Sequence, residues 1–293
     1  MAIYQSLSEP LLPSTPVQAT RDEQLLCELE KMRKNGKLMF YTYACRMLDR
    51  SYILTTFTGH TNNDVLTYQL ILNELLDELA RLNVSILHLN DIGGVHDGTN
   101  CLGYLQSRGL HAAVPCTHTT PAEATIVTLN LNDSSIGMDQ MEDFLTTGLA
   151  SLCLGGVLLV QIGSLFPRHT QDMLWRLRQL FYQVRVVKPD TISLYTDSKY
   201  IVCLGKEEEA PRAHIQPPLD WYSFLTILEN AYTRQKNEHQ RAACTLAQDF
   251  MTLASGLQVE RIEVYLRQIL ATCLADDNLR KYGTVFCRER KIL

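Results

Sequence analysis

A glycine-rich turn between an apolar run and a helix is the part of this sequence best suited to chemistry. The stretch LNDIGGVHDGTNCLGYLQSRGL, residues 89–110, carries the pattern DxGGxxxG formed by Asp91, Gly93, Gly94 and Gly98. Glycines at such a turn let backbone amides approach a ligand closely, and the amino end of the following helix favours an anionic group. The pattern predicts a loop that binds a cofactor. The alternative is that the glycines only form a tight turn.

Two further residues of this loop, His96 and Asp97, are candidates for catalysis. A histidine titrates near neutral pH, so His96 could act as general base towards a phenol or enol hydroxyl. The neighbouring carboxylate of Asp97 could raise the basicity of the imidazole. The alternative is that both are solvated residues of the turn.

Composition limits the classes of protein to which the chain can belong. Its 293 residues, 46% hydrophobic and 20% charged, are typical of a soluble globular protein with a sizeable core. The net charge of −5 argues against broad electrostatic binding of nucleic acid. Nine cysteines occur without a CxxC pair or a metal-like spacing to histidine. We therefore expect reduced thiols, no metal site and an intracellular protein, cytoplasmic or nuclear.

The sequence predicts neither a signal peptide nor a membrane span. Residues 1–20 lack a basic start followed by an apolar run and are rich in Pro, Ser and Thr, which predicts a flexible arm. Residues 144–167 contain no charge, but they include four glycines and Gln161. A helix that ends at Gly155 and Gly156, followed by a buried strand, explains this stretch better than a membrane span.

Apolar residues at helical spacing predict an N-terminal helical region over 21–83. Its helices are expected at 21–35, 38–50 and 64–82. Thr20 and Glu23 would form a capping box at the start of the first helix, and Gly36 would end it.

Strands and helices alternate in the next segment, 84–206. Strands are expected at 84–89, 110–114, 124–131, 156–162, 184–189 and 199–205, with helices near 99–108, 138–153 and 171–183. This alternation predicts a parallel sheet covered on both faces, and the short link at 191–198 predicts that the closing pair of strands forms an antiparallel edge. In such a sheet, ligands bind at the carboxyl ends of the strands, where the glycine loop lies.

A charged linker at 207–218 precedes a C-terminal helical appendage at 219–293. Helical periodicity continues over 219–280, and its apolar stripe must be buried on the sheet or on a protein partner. The aromatic residues expected to anchor such a partner are Trp221, Tyr222 and Phe224.

Three features of this segment together resemble a known family. They are the glycine loop, the strand motif GGVLLVQI at 155–162, and the ending F-x-x-V-x-x-x-K-P…Y-I-V at 181–202. With these motifs, residues 64–206 resemble the FtsJ-like family of S-adenosylmethionine-dependent ribose 2′-O-methyltransferases. The resemblance implies an α/β fold with a Rossmann-like class I methyltransferase sheet. It also implies that Asp91, Gly93, Gly94 and Gly98 bind S-adenosylmethionine.

The family's catalytic device is a Lys–Asp–Lys–Glu tetrad, and its positions can be carried over by the resemblance. The Asp position falls on Asn130, the second Lys position on Gln161 and the Glu position on Ser198. For the first Lys, the candidates are Lys37, Arg46 and Arg50. Neutral amides and hydroxyls cannot take up the proton that the tetrad removes, so ribose methylation by this mechanism is not expected.

Three functions from different classes follow from these observations. The first is a degenerate methyltransferase-fold protein that acts as a non-catalytic binding or partner subunit through its C-terminal helices. The second is an active or repurposed S-adenosylmethionine-dependent O-methyltransferase on a small hydroxylated molecule, with His96 as base. The third, disfavoured by the lost tetrad and the net acidity, is RNA ribose methylation. Binding of the cofactor separates the first two.

Overall fold

A seven-stranded mixed sheet is the central element of this computed structural model. The structure describes residues 3–6, 23–58, 86–92, 111–113, 124–132, 138–189, 191–208 and 216–275. The predicted helices at 64–82 and 99–108 and the glycine loop at 93–98 lie outside these residues.

The strands run in the spatial order β1-β6-β7-β5-β4-β2-β3. Their bounds are β1 Ile3–Ser6, β2 Ile86–Ile92, β3 His111–Ala113, β4 Ala124–Asn130, β5 Leu152–Ile162, β6 Phe181–Lys188 and β7 Lys199–Lys206. Strands β3, β2, β4 and β5 are parallel to one another, whereas β7 runs antiparallel to both β5 and β6. The α/β class predicted from the sequence is therefore confirmed. The pair joined by the short link is antiparallel as predicted, but it does not form the edge of the sheet, because β7 lies between β5 and β6 and β1 pairs with the outer side of β6.

The described helices are α1 Glu23–Lys34, α2 Leu38–Leu48, α3 Arg50–Thr58, α4 Met138–Ser151, α5 Arg168–Leu180, α6 Leu219–Leu253 and α7 Val259–Leu274. The first of them ends as the sequence predicts, because Gly36 adopts a φ of 66°, a left-handed conformation that suits glycine. None of the helices in the described ranges is long and apolar enough to cross a membrane.

The central strands β4 and β5 explain why the uncharged stretch 144–167 is a core segment. All residues of β4 but the last are buried, and so are the last seven residues of β5. A strand covered on both faces needs a continuous apolar run rather than an alternating one. The run therefore belongs to a sheet interior.

The structure corrects two boundaries around this sheet. The helix expected to end at the glycine pair ends at Ser151, and β5 begins at Leu152. Gly155, with a φ of 73°, lies where the register between β4 and β5 shifts, so the extra residues are absorbed as an irregularity within the strand. The helix expected over 171–183 ends at Leu180, because Phe181 is already extended and pairs with Lys206.

The N-terminal arm was expected to be flexible, but Ile3–Ser6 forms an edge strand. It pairs antiparallel with the second half of β6, from Arg185 to Lys188. The two β-branched or aromatic residues at its start favour extended backbone, and the backbone bonds of β6 supply the partner.

The C-terminal region is also less uniform than expected. Helical structure breaks between Leu253 and Val259, where Gly256 has a φ of 96°, a conformation that ends a helix. Residues 276–280 of the predicted helix lie outside the described ranges.

The chain divides into two compact units. The sheet unit comprises Met1–Val17, Thr67–Pro189 and Asp197–Glu229, and the helical unit comprises Gln18–Leu66, Asp190–Thr196 and Asn230–Leu293. The boundary falls inside α6, whereas the sequence places a linker at 207–218. The core of the helical unit includes Phe40, Tyr43, Phe250 and Leu266.

Candidate functional site

The carboxyl ends of β4 and β5 bring two of the predicted tetrad positions together. Asn130 is the last residue of β4 and lies opposite Gln161 on β5, and Gln161 lies opposite Tyr200 on β7. Residues paired in this way project from the same face of a sheet. The side chains of Asn130, Gln161 and Tyr200 therefore share one face, which we call the amide face.

Ser198, the third predicted position, is joined to this edge by a chain of hydrogen bonds. The backbone N–H of Asn132 donates to Oδ1 of Asn130 over 2.9 Å, and Nδ2 of Asn132 donates to Oγ of Ser198 over 2.6 Å. The structure thus brings Asn130, Gln161 and Ser198 to one edge of the sheet, and it adds Asn132, which the sequence did not single out.

Gly163 makes the position of Asn132 possible. A Cβ atom at residue 163 would lie 2.9 Å from Oδ1 of Asn132, closer than real Cβ contacts come. Gly163, the residue that follows β5, therefore allows the close approach of the Asn132 side chain, and its backbone does not adopt the left-handed conformation that favours glycine.

Gln161 is buried without a partner for its side-chain oxygen. The residue is 7% exposed, and Oε1 accepts no hydrogen bond. An unsatisfied buried acceptor costs about 1–3 kcal/mol, so such a group calls for an explanation. It lies at the position where the family resemblance implies a catalytic lysine.

The order of the strands reverses at the same edge, which is a feature typical of ligand sites in open α/β sheets. Strand β2 has β3 on one side and β4 on the other, so the chain moves across the sheet in one direction from β2 to β3 and in the opposite direction from β3 to β4. Open α/β sheets bind ligands in the crevice that forms at such a reversal, beyond the carboxyl ends of the strands. Asp91 lies in β2, where its backbone pairs with Thr128. Gly93, Gly94, His96, Asp97 and Gly98 follow outside the described residues.

The opposite face of the same edge carries a buried ion pair that the sequence analysis missed. Lys199 lies opposite Ile162, one residue from the Gln161–Tyr200 pair, so its side chain projects from the other face. Its Nζ lies 3.0 Å from Oε2 of Glu229, and the two side chains are 1% and 3% exposed. We call this side the ion-pair face.

Every donor of the Lys199 ammonium has an acceptor. Nζ donates to the backbone oxygens of Gly163 and Asp197, over 3.1 and 2.9 Å, and to the Glu229 carboxylate. An ammonium group has three N–H bonds, so this set satisfies it. Lys199 is consequently held as a structural cation and is not available as a base for the amide face.

Helix α6 fixes the loop after β5 from the ion-pair face. Oε2 of Glu229 accepts the backbone N–H of Leu165 over 3.1 Å, and Nε2 of Gln171 donates to the oxygen of Leu165 over 2.9 Å. The indole Nε1 of Trp221 in turn donates to the oxygen of Gln171 over 3.0 Å. The loop that borders the candidate site is therefore tied to two helices.

This arrangement corrects the role expected for Trp221. The residue is fully buried and packs edge-on against Trp175, with ring centroids 5.2 Å apart. Tyr222, its neighbour, donates from its hydroxyl to Asp172 over 2.8 Å. Trp221 is an internal anchor of the sheet unit and not a contact for a partner.

A signal for the missed ion pair is present in α6. Glu229 lies four residues after Leu225 and three before Tyr232, both buried, so it belongs to the apolar stripe of the helix. A carboxylate in such a stripe indicates a buried partner. The sequence does not say which of the chain's basic residues that partner is.

The candidates for the first tetrad lysine belong to the helical unit. Lys37, Arg46 and Arg50 all lie within its segment Gln18–Leu66. The Arg46 guanidinium is 5.5 Å from the ring centre of Tyr43 and 5.7 Å from that of Tyr52, so it has aromatic partners there. None of the three is assigned to the site.

The described residues give no support to catalysis by a nucleophilic thiol or by a bound metal ion. Burial is the main cause that raises the pKa of the thiols of Cys45, Cys153 and Cys203, which keeps them protonated and poorly nucleophilic. The described residues contain no group of His, Cys, Asp and Glu side chains that could hold a metal ion.

A separate surface pocket of about 380 Å³ lies between α4 and α5. Met141 and Met173 contribute apolar surface to it, while Arg176 and Glu142 at its rim pair with each other over 2.7 Å. It contains none of the predicted site residues, and its paired charges give no indication of a ligand.

No family model matches the chain, and no curated protein sequence matches it either.

Proposed function

We propose that this chain is a degenerate FtsJ-like methyltransferase-fold protein that acts as a non-catalytic binding or partner subunit. One observation carries the proposal. The three positions that the resemblance assigns to the tetrad, Asn130, Gln161 and Ser198, meet at the carboxyl edge of the sheet as uncharged residues. A set of amides and a hydroxyl offers no base for a ribose hydroxyl.

The strand order supports the Rossmann-like part of this proposal. The reversal at β2, the parallel strands on both sides of it and the antiparallel insertion of β7 between β5 and β6 are compatible with a class I methyltransferase sheet. The glycine loop would then follow β2, with S-adenosylmethionine as the implied cofactor.

The ion-pair face supports the loss of catalysis. A lysine close to the edge could in principle replace the missing base, and Lys199, which follows Ser198 and donates to the backbone oxygen of Gly163, lies close to it. Its bonds to Glu229 and to two backbone oxygens make it unsuitable, because deprotonation would leave the Glu229 carboxylate buried without its counter-charge.

A partner role for the C-terminal helices is the second part of the proposal. With Trp221 assigned to the interior, exposed apolar residues in the described part of the C-terminal region include Leu253, Leu257 and Val264, which are 64%, 39% and 55% exposed. Exposed apolar side chains of this size are suited to a protein interface.

The proposal is tested by methyl transfer from labelled S-adenosylmethionine to capped and to structured RNA. We expect no label in ribose 2′-O positions with the purified protein. Ribose methylation that is lost in Gln161→Met, and kept in the exposed control Gln268→Met, would overturn the proposal. The same assay with small phenols tests the alternative function: turnover that is abolished in His96→Ala would identify a repurposed enzyme.

A further inference from the structure

We infer that a cluster of arginine and tyrosine side chains on the helical unit binds the carboxylate groups of an acidic segment of a partner protein. The cluster, which we call the arginine–tyrosine cluster, consists of Tyr43 and Arg46 from α2, Tyr52 from α3 and Arg267 from α7. The inference rests on the partner role proposed above and deepens it, because it places the contact on named side chains and gives the chemistry of the partner.

The two arginines of the cluster converge on one tyrosine. Helices α2 and α7 pack against each other, and Tyr43 belongs to the buried core of the helical unit. The Arg46 guanidinium is 5.5 Å from the ring centre of Tyr43 and 5.7 Å from that of Tyr52. The interaction with the Tyr43 side chain is also the largest cause that raises the pKa of Arg267, ahead of the interaction with Glu263. Both guanidinium groups therefore lie beside Tyr43.

The positive charge of the cluster is only partly compensated. Arg267 pairs with Glu263 over 2.6 Å at the surface of α7. Arg46 is exposed and, in the part of the chain that the structure describes, pairs with no carboxylate. The nearby carboxylate of Asp49 accepts the backbone N–H and the hydroxyl of Ser51 over 3.0 and 2.8 Å. One guanidinium charge is thus left for a carboxylate of a partner.

The surroundings of Arg46 prepare it for such a contact. Its contacts with the two rings restrict a long side chain, so less conformational entropy is lost when the side chain binds a partner. Among the described residues, none accepts a hydrogen bond from its N–H groups. A guanidinium in this state can donate two parallel hydrogen bonds to one carboxylate.

An apolar side chain beside the cluster favours a protein over a nucleic acid as the partner. Val264 lies three residues before Arg267, on the same side of α7, and is 55% exposed. The net charge of −5, together with Glu263 at the cluster, opposes binding of a phosphate backbone. We expect the bound segment to combine carboxylates with apolar side chains.

The experiment titrates the full chain with a fluorescent synthetic peptide of Glu and Leu, and with the same peptide carrying Gln in place of Glu. The acidic peptide should bind saturably, and more weakly as the salt concentration rises, whereas the neutral peptide should not bind. Arg46→Gln and Arg267→Gln should each weaken the binding about tenfold, the effect of one lost charge-assisted hydrogen bond. The control is Arg33→Gln, which removes an exposed arginine paired with Glu30 on α1 and should leave the binding unchanged.

Three results would overturn the inference: no saturable binding of the acidic peptide, equal binding of the neutral peptide, or wild-type affinity in both arginine variants. Polyuridylate is titrated in parallel, and tighter binding of this RNA that is lost in Arg46→Gln would identify a nucleic-acid surface instead. Thermal unfolding checks that the variants are folded. If one is not, Val264→Asp replaces it, because a carboxylate beside Arg267 must weaken binding of the acidic peptide or the inference fails.

The two proposals fail separately. Methyl transfer to RNA would refute the non-catalytic function, whatever the peptide titration gives. Absence of peptide binding in a protein that also transfers no methyl group would refute only the class of partner.

Discussion

Gln161 and Lys199 lie on neighbouring strands, one register position apart, but the polar atoms of their side chains differ in whether they have hydrogen-bond partners. The Lys199 ammonium has a full set of acceptors and a buried counter-charge, whereas the Gln161 oxygen has no partner at all. Both side chains are more than nine-tenths buried. The difference shows that burial alone does not identify a functional site. A buried charge with a full set of partners stabilises the fold, whereas a buried amide oxygen without a partner lowers the stability of the protein.

The same contrast extends beyond the two residues. On the ion-pair face, Glu229, Gln171 and Trp221 connect α6 and α5 to the loop after β5. On the amide face, hydrogen bonds join Asn130, Asn132 and Ser198 at the edge of the sheet. We therefore assign the ion-pair face to stability and the amide face to binding, and substitutions on the two faces should have different consequences.

The largest effect is expected from Glu229→Gln. It removes the counter-charge of a buried ammonium, and breaking a buried pair in this way costs about 3–5 kcal/mol of the free energy of unfolding. Chemical denaturation measures this loss. The control is Glu263→Gln, which breaks the exposed pair with Arg267 on α7 and should leave the stability unchanged within error.

A companion variant separates charge from packing in this result. Lys199→Met combined with Glu229→Leu leaves no buried charge, so the double variant should recover most of the stability lost in Glu229→Gln. A double variant as unstable as the single one would mean that the bond from Leu165 to Glu229, rather than the ion pair, dominates.

Trp221→Phe should have the next largest effect. The oxygen of Gln171 loses its indole donor and the smaller ring leaves unfilled volume, which together should cost about 2 kcal/mol. Denaturation again measures the loss, and Tyr222→Phe, which removes only a surface bond to Asp172, should cost clearly less. A Trp221→Phe variant as stable as the wild type would contradict the role of Trp221 as an internal anchor and would favour the predicted role as a contact for a partner.

The sequence predicted the sheet better than it predicted the site. Continuous apolar runs in the sequence predicted β4 and β5, because a strand buried on both faces needs apolar residues at successive positions rather than at every second one. The glycine pair at 155–156 gave the wrong helix end, since the conformation of Gly155 is used inside a strand rather than at a helix end.

The site could be predicted only as far as local patterns reach. The resemblance selected Asn130, Gln161 and Ser198, and strand register then brought the first two together. The Lys199–Glu229 pair joins residues thirty positions apart on a strand and a helix. Such a pair depends on how α6 packs on the sheet. The residues next to Lys199 and Glu229 in the sequence do not determine this packing. Asn132 was missed for a similar reason, because its partner Ser198 lies sixty-six positions away.

A smaller effect is expected from pH at Cys203 in β7. Complete burial raises the pKa of this thiol in the folded protein above its value in the unfolded chain. Its contribution is therefore fully present below the ordinary cysteine pKa of about 8.5 and is lost as pH rises above it, because only the unfolded chain ionises.

The measurement is the free energy of unfolding at pH 7.5 and 9.5 for wild type and Cys203→Val. The wild-type protein should lose about 1 kcal/mol more than the variant between these values. Equal losses in both proteins would show that the buried thiol of Cys203 does not contribute to the pH dependence.

The contrast between the two faces is tested most directly by making the same substitution on each. Gln161→Met removes an acceptor that has no partner, so it should stabilise the protein by about 1 kcal/mol, whereas Lys199→Met leaves the Glu229 carboxylate buried alone and should destabilise it by about 3 kcal/mol or more. Denaturant unfolding of the two variants beside the wild type gives both values in one experiment. Opposite signs are the predicted result. A loss of stability in Gln161→Met comparable to that in Lys199→Met would show that Gln161 is a structural residue, and it would contradict the assignment of the amide face to binding.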